Sequence, residues 1–172
     1  MILSDLPENS YPEKYATYIN ALDPSTNLID GLEISLYEYI RFVQSIPLGK
    51  HDYQYAPGKW TIKDIIQHII DCERVFGYRA LRLGRNDQTQ LNSFNEDEYA
   101  KVAGGNLRTL QNLLTELSTV RQSTLLLYKT FTAEQLNQQW VSGNNELSLA
   151  ALGFVIMGHQ LHHKNIFEER YL

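Results

Sequence analysis

Apolar side chains recur at intervals of three and four along four stretches of this chain, and between them the pattern dissolves into proline, glycine and polar residues. Leu28, Leu32, Leu36, Tyr39 and Val43 mark one face of a helix from about Asn27 to Ile46, which Pro47 and Gly49 end. Thr61 followed by Asp64 is a variant capping box. It opens a second helix whose face carries Ile62, Ile65, Ile66, Ile69, Phe76 and Ala80, and Gly84 is expected to close it as a C′ residue. Leu107, Leu110, Leu113, Leu114, Leu117, Val120, Leu125 and Leu127 form a broad stripe on a third helix, from about Asn106 to Phe131. The fourth runs from an N-cap at Ser148 to Leu172.

The connecting segments contain no convincing strand pattern. Residues 1–25 hold Pro7, Pro12 and Pro24 and read as an ordered arm with a helical turn near Glu13–Leu22. Residues 84–105 are polar, with one short helix expected at Phe94–Tyr99. Residues 132–147, with Trp140 and Gly143-Asn144-Asn145, form a second connection. Four long helices without strands predict an all-α four-helix bundle, one domain spanning residues 1–172. Either long connection can span the ~35 Å of a helix, so loop length alone leaves the topology open.

Charge narrows the list of partners. The 172 residues carry a formal net charge of -5 and no Lys/Arg cluster, which argues against nucleic acid. Apolar content of 43% and charged content of 20% fit a globular domain, and the longest apolar run, Ala150 to Met157, is far short of a bilayer span. A single cysteine, Cys72, excludes an internal disulfide and fits a reducing compartment. The N-terminus has no signal-peptide pattern, so the expectation is a cytoplasmic protein with no membrane partner.

Candidate chemistry concentrates in the fourth helix. Three of the five histidines fall within Gly158-His159-Gln160-Leu161-His162-His163. His159 and His163 are i,i+4, on the face that carries Leu152, Ile156 and Ile166. One helix can offer two imidazoles to one metal ion in this way. Core-edge histidines bonded to carbonyls or water are the alternative. His68, flanking the apolar face of the second helix, lies as deep from that helix's start as His163 lies from the end of the fourth. If those ends coincide, His68, His159 and His163 occupy one layer and leave a fourth metal position open, as catalytic sites do. His162 is rotated by about 100° and is a candidate for an outer, flanking role. Asp71, one turn after His68, is a candidate to orient an imidazole. His51, in a loop, reads as unrelated.

Two charges fall on core faces. Glu73 is in register with Ile66, Ile69, Phe76 and Ala80, and Arg121 with Leu114, Leu117, Leu125 and Tyr128. A lone buried ion costs several kcal/mol, so a Glu73–Arg121 ion pair beneath the histidine layer is expected; the alternative is that both reach outward to water.

Three stretches together resemble the DinB-like (damage-inducible) four-helix proteins. They are Pro57-Gly58-Lys59-Trp60-Thr61-Ile62-Lys63-Asp64 running on to His68-Ile69-Ile70-Asp71-Cys72-Glu73-Arg74, then Phe94-Asn95-Glu96-Asp97, then Gly158 to His163. The resemblance covers roughly residues 28–172. It implies an up-down-down-up bundle with its long crossover between the second and third helices. It also implies a divalent metal on His68, His159 and His163, for which zinc or nickel is the expectation. Members are often dimers, so a homodimer is expected, and characterised relatives include metal-dependent thiol transferases using bacillithiol, mycothiol or glutathione. Relatives often follow the last histidine with glycine and glutamine, whereas this chain has Lys164-Asn165-Ile166, which weakens transfer of a particular substrate. The expectation is a metal-dependent enzyme activating a low-molecular-weight thiol or water against a small electrophile. The alternative is a metal-binding stress-response protein without turnover.

Overall fold

A computed structural model describes residues 1–7, 9–142 and 145–172. Among these described residues seven α-helices form in chain order: α1 (Ala16–Ile19), α2 (Leu28–Ser45), α3 (Ile62–Gly84), α4 (Glu96–Ala103), α5 (Leu110–Tyr128), α6 (Ala133–Asn137) and α7 (Leu149–Arg170). The four long ones, α2, α3, α5 and α7, are the bundle. Each begins on a side-chain cap. Asn27 accepts from the amides of Ile29 and Asp30, Thr61 and Asp64 exchange bonds in a full capping box, Thr109 accepts from Asn112, and Ser148 accepts from Ala151.

Side-chain contacts fix the helix directions. Along α3 and α5 the partners advance together. Lys63 Nζ donates to the Asn106 carbonyl at 3.0 Å, Arg74 pairs with Glu116 at 2.6 Å, and Gly84 abuts Phe131, so the two helices are parallel. α7 runs against α3: the Tyr171 hydroxyl at its end donates to the Trp60 carbonyl, while His159 faces Phe76 farther along. It runs with α2, since Gln160 reaches Ser35 and Phe167 packs on Tyr39. The order is therefore up-down-down-up, with the crossover through α4, as the sequence resemblance implied. This topology brings the start of α3 and the end of α7 to the same end of the bundle.

Leu149 through Gln160 are buried without interruption. The first half of α7 is enclosed by α1, α2, α3 and α6, which is why its sequence is apolar all round rather than striped. No helix among the described residues is long and apolar enough to cross a membrane.

Three expectations change. Residues 139–148 include an antiparallel hairpin, β1 (Gln139–Ser142) and β2 (Asn145–Ser148), so the bundle carries a small β-ribbon that alternation over four residues was too short to signal. Gly143 and Asn144, read as part of that connection, lie outside the described residues. Gly84 is helical rather than a left-handed C′ residue; that conformation falls to Asn86, at φ 56°. Glycine is needed at 84 because a methyl there would run into the Phe131 ring. Leu107 is 93% exposed, since it sits in a 3-10 turn before the Thr109 cap rather than on the helix stripe.

Candidate metal centre

α3 and α7 hold the histidines. His68 sits in the second turn of α3, and His159 and His163 are one turn apart on α7. The Nε2 atom of His159 lies 3.1 Å from His68 Nε2 and 3.1 Å from His163 Nε2. The three ring centroids are 4.7–5.0 Å apart, with the rings turned steeply to one another. All three residues are buried. Burial pushes the His68 imidazolium pKa down to about 4, against the pull of the Glu96 and Asp97 carboxylates. Burial and the neighbouring imidazoles hold His159 and His163 well below the usual range. All three rings are therefore neutral at pH 7, the form that binds metals.

Proton placement shows that hydrogen bonding cannot account for this arrangement. A neutral imidazole nitrogen either donates one N–H or offers one lone pair. His159 Nε2 has two nitrogen neighbours at hydrogen-bond distance and can satisfy only one of them. A cation satisfies both. Two nitrogens about 2.05–2.1 Å from a common ion stand about 2.9–3.4 Å apart for bond angles of 90–109°, which brackets the observed spacing. The donor set thus fits a divalent ion.

Other side chains complete the surroundings. The Trp60 ring lies 4.9 Å from that of His68, and the Tyr18 ring lies 5.3 Å from both His159 and His162. Gly158 makes this possible, because a methyl there would strike the Tyr18 carbonyl and push the arm off α7. Cys72 Sγ is 3.6 Å from His68 Nδ1 and 3.7 Å from its Nε2. Burial, and then the Glu96 and Asp71 carboxylates, push its thiol pKa up to about 12, so it is protonated. Its i,i+4 spacing from His68 was the one sequence signal for this contact. His162 flanks the cluster, its ring 5.1 Å from that of His163.

Asp71 does not orient an imidazole. Its carboxylate accepts from Gln67 Nε2 at 3.0 Å and lies near Arg74, on the side of α3 that faces α5, while Cys72 occupies the place beside His68. One residue along the helix, about 100° of rotation, separates the two outcomes. His51 approaches the Ile46 carbonyl at 3.1 Å, away from the cluster.

Two clefts meet the histidines. One of about 260 Å³ opens on His68, His159 and Cys72, between α1, α3 and the start of α4, with Arg79 and Glu96 among its lining. The other, about 290 Å³, opens on His163 beside Trp60, Asp97 and Arg170. Asn95 caps α4, holding Glu96 and Asp97 between them. A further cleft of about 500 Å³ between α2 and α7 touches none of the histidines.

Behind the site, Glu73 and Arg121 meet in the core. Arg121 Nε and Nη2 donate to the two Glu73 oxygens at 2.7 and 3.0 Å, with side-chain exposures of 1% and 2%. Nη1 donates to the Leu32 carbonyl at 2.9 Å and to Ser35 Oγ at 3.0 Å, and Nη2 also donates to Gln160 Oε1 at 2.8 Å. All five guanidinium protons are used, and one side chain ties together all four bundle helices. Glu73 follows Cys72, and Gln160 follows His159.

The DinB superfamily model matches residues 32–167, most of the chain and every residue of the histidine cluster. The chain belongs to the DinB superfamily. Among proteins similar to this DinB member, one from Oceanobacillus iheyensis is 25% identical over 149 residues, covering 86% of this chain and 75% of that protein; it bears the name "putative metal-dependent hydrolase". Among solved structures, YfiT from Bacillus subtilis, described as "a probable metal-dependent hydrolase with an unusual four-helix bundle topology", superposes with a TM-score of 0.73 at 17% identity. That match covers 83% of this chain and 82% of YfiT, and supports the DinB fold of this chain.

Proposed function

We propose that the protein is a metal-dependent enzyme in which His68, His159 and His163 bind a divalent ion, zinc or nickel, through Nε2. On this reading it attacks a small electrophile with water or a low-molecular-weight thiol. The approach of His68 Nε2 and His163 Nε2, each to 3.1 Å from His159 Nε2, carries the reading, and the names of the two relatives favour hydrolysis over thiol transfer. When bound, the ion supplies the charge that acidifies a water or thiol in the position the imidazoles leave open.

The chain's own residues do the rest. Trp60 and Tyr18 fix the ring planes of His68 and His159 and keep bulk water off them. Glu96 lines the cleft within reach of a group bound there and is the candidate to take up a proton. An open cleft that ends on the histidines and carries Arg79 and Glu96 in its lining is what an enzyme requires and a closed structural site lacks.

One observation favours the second reading, a metal-binding protein without turnover. Ligand atoms of His68, Cys72 and His159 lie within 4.8 Å of one another, so the Cys72 thiolate could fill the open position. Cobalt-substituted protein decides between them. The enzyme reading expects no thiolate-to-cobalt charge-transfer band and an unchanged spectrum in Cys72→Ala. It also expects hydrolysis of 4-nitrophenyl acetate, or conjugation of glutathione to 1-chloro-2,4-dinitrobenzene, that is lost on chelation and in His159→Ala. An intense thiolate band together with no turnover above the His159→Ala background sinks it.

A further inference from the structure

We propose that the cleft ending on His68 and His159 is an oxyanion-binding site, in which Arg79, assisted by Lys14, receives a carboxylate or phosphate of a substrate whose apolar body lies against Phe76 and Phe94. This deepens the reading of the histidines as a metal centre and rests on it for the position of the reacting atom.

The first support is charge. The chain has a net charge of -5, yet this cleft is lined by Arg79, Lys14 and Glu96, a balance of one positive charge before any metal is counted. Seven of the fifteen Lys and Arg side chains lie within 4 Å of a carboxylate among the described residues, and neither Arg79 nor Lys14 is one of them. A half-buried guanidinium beside the histidine cluster, with no carboxylate within 4 Å among the described residues, has charge left to offer a ligand.

The second support is that Arg79 is already positioned. Its Nη1 donates to the Tyr15 hydroxyl at 3.4 Å, its Nη2 donates to the Asn92 carbonyl at 3.0 Å, and its guanidinium carbon stands 5.7 Å from the centroid of the Phe94 ring. Every partner is neutral. Among the described residues three of its five N–H groups have no protein partner, and the neutral contacts supply the rotamer order that a flexible side chain would otherwise lose on binding. Arg121 in the same bundle shows the contrast: it spends all five N–H groups inside the protein, two of them on a carboxylate. The two arginines are built for different tasks, one to hold the fold and one to wait for a ligand.

The third support is shape. The cleft reaches from Arg79 and Lys14 past Phe76 and Phe94 to the Nε2-bearing histidines and the Cys72 thiol. A ligand anchored by its anion at Arg79 therefore directs its other end to the proposed reaction centre. Glu96, in the same lining, repels the anion from its own wall and so sets which way round the ligand lies.

Isothermal titration of the full chain tests this, zinc-loaded and zinc-free, with phenylacetate, phenyl phosphate and the neutral phenylacetamide as probes. At least one anion should bind both forms, at least tenfold more tightly than the amide, and whichever anion binds more tightly names the source of the oxyanion. Arg79→Gln should weaken that anion about tenfold in both forms while keeping the wild-type zinc stoichiometry. Arg85→Gln, which removes another arginine without a carboxylate partner, packed over Phe131, should bind as wild type. Anion affinity unchanged in Arg79→Gln, or no binding of either anion, overturns the proposal. Failure of the chain to bind zinc, with Arg79-dependent anion binding intact, would instead overturn the metal reading and leave the anion site standing.

Discussion

Removing Arg121 should damage this protein more than removing Arg121 and the Glu73 charge together. In the Arg121→Met variant, the Glu73 carboxylate stays about 2% exposed with its two donors gone, and Gln160 Oε1, Ser35 Oγ and the Leu32 carbonyl each lose one. An uncompensated buried charge of this kind costs about 3–5 kcal/mol, a large fraction of the ~5–15 kcal/mol that holds a domain folded. Glu73→Gln alone keeps the shape but strands a cation, and should cost about 3 kcal/mol by the same reasoning. In the Arg121→Met background its effect reverses: it now discharges an orphaned carboxylate, so the double variant should be at least as stable as Arg121→Met. The coupling energy is then on the order of 3 kcal/mol. Urea denaturation followed by far-ultraviolet circular dichroism, with chelator present so that metal does not contribute, measures all four corners of the cycle. Glu73→Gln losses that agree within about 0.5 kcal/mol in the two backgrounds would refute the coupling.

Alanine at His68, His159 or His163 should each abolish stoichiometric metal in protein purified without an affinity tag, whereas His162→Ala and Cys72→Ala should retain it; elemental analysis reads this directly. The metal-free protein should lose stability as the pH falls from about 6.5 towards 4. His68 in the folded chain refuses a proton until about pH 4, while the unfolded chain takes it near 6.5, so the contribution is full above 6.5 and fades below, on the order of 3 kcal/mol for this residue. A His68→Ala variant with the same pH slope as wild type would contradict this. Gly158→Ala should cost about 1–3 kcal/mol by overpacking against the Tyr18 carbonyl, and a loss of metal affinity should accompany it as Tyr18 leaves His159. A fully stable, metal-replete alanine variant would show that α1 yields without consequence.

The starts of α3 and α7, the apolar faces and the pairing of His159 with His163 were legible in the sequence because each depends on residues within four positions of one another. Side-chain caps at Thr61 and Ser148, and a one-turn spacing on a single face, are local properties. Placing Glu73 and Arg121 on core faces is equally local, since it needs only the helical period. What those side chains touch is not local. That Arg121 binds Leu32, Ser35 and Gln160 as well as Glu73 follows from the convergence of four helices, with partners 39 to 89 residues away in the chain. Gly84 looks like helix punctuation in sequence, and only the approach of Phe131 shows that it is there to admit a neighbour, as Gly158 within α7 admits Tyr18. Asp71 and Cys72 make the same point at the site itself. Both lie about one turn from His68, and the packing of α3 between α5 and α7 decides that the carboxylate turns to Gln67 while the thiol turns to the histidines. Sequence periodicity fixes which residues share a face; the neighbours that cover that face come from distant parts of the chain, and only their packing sets which atoms meet.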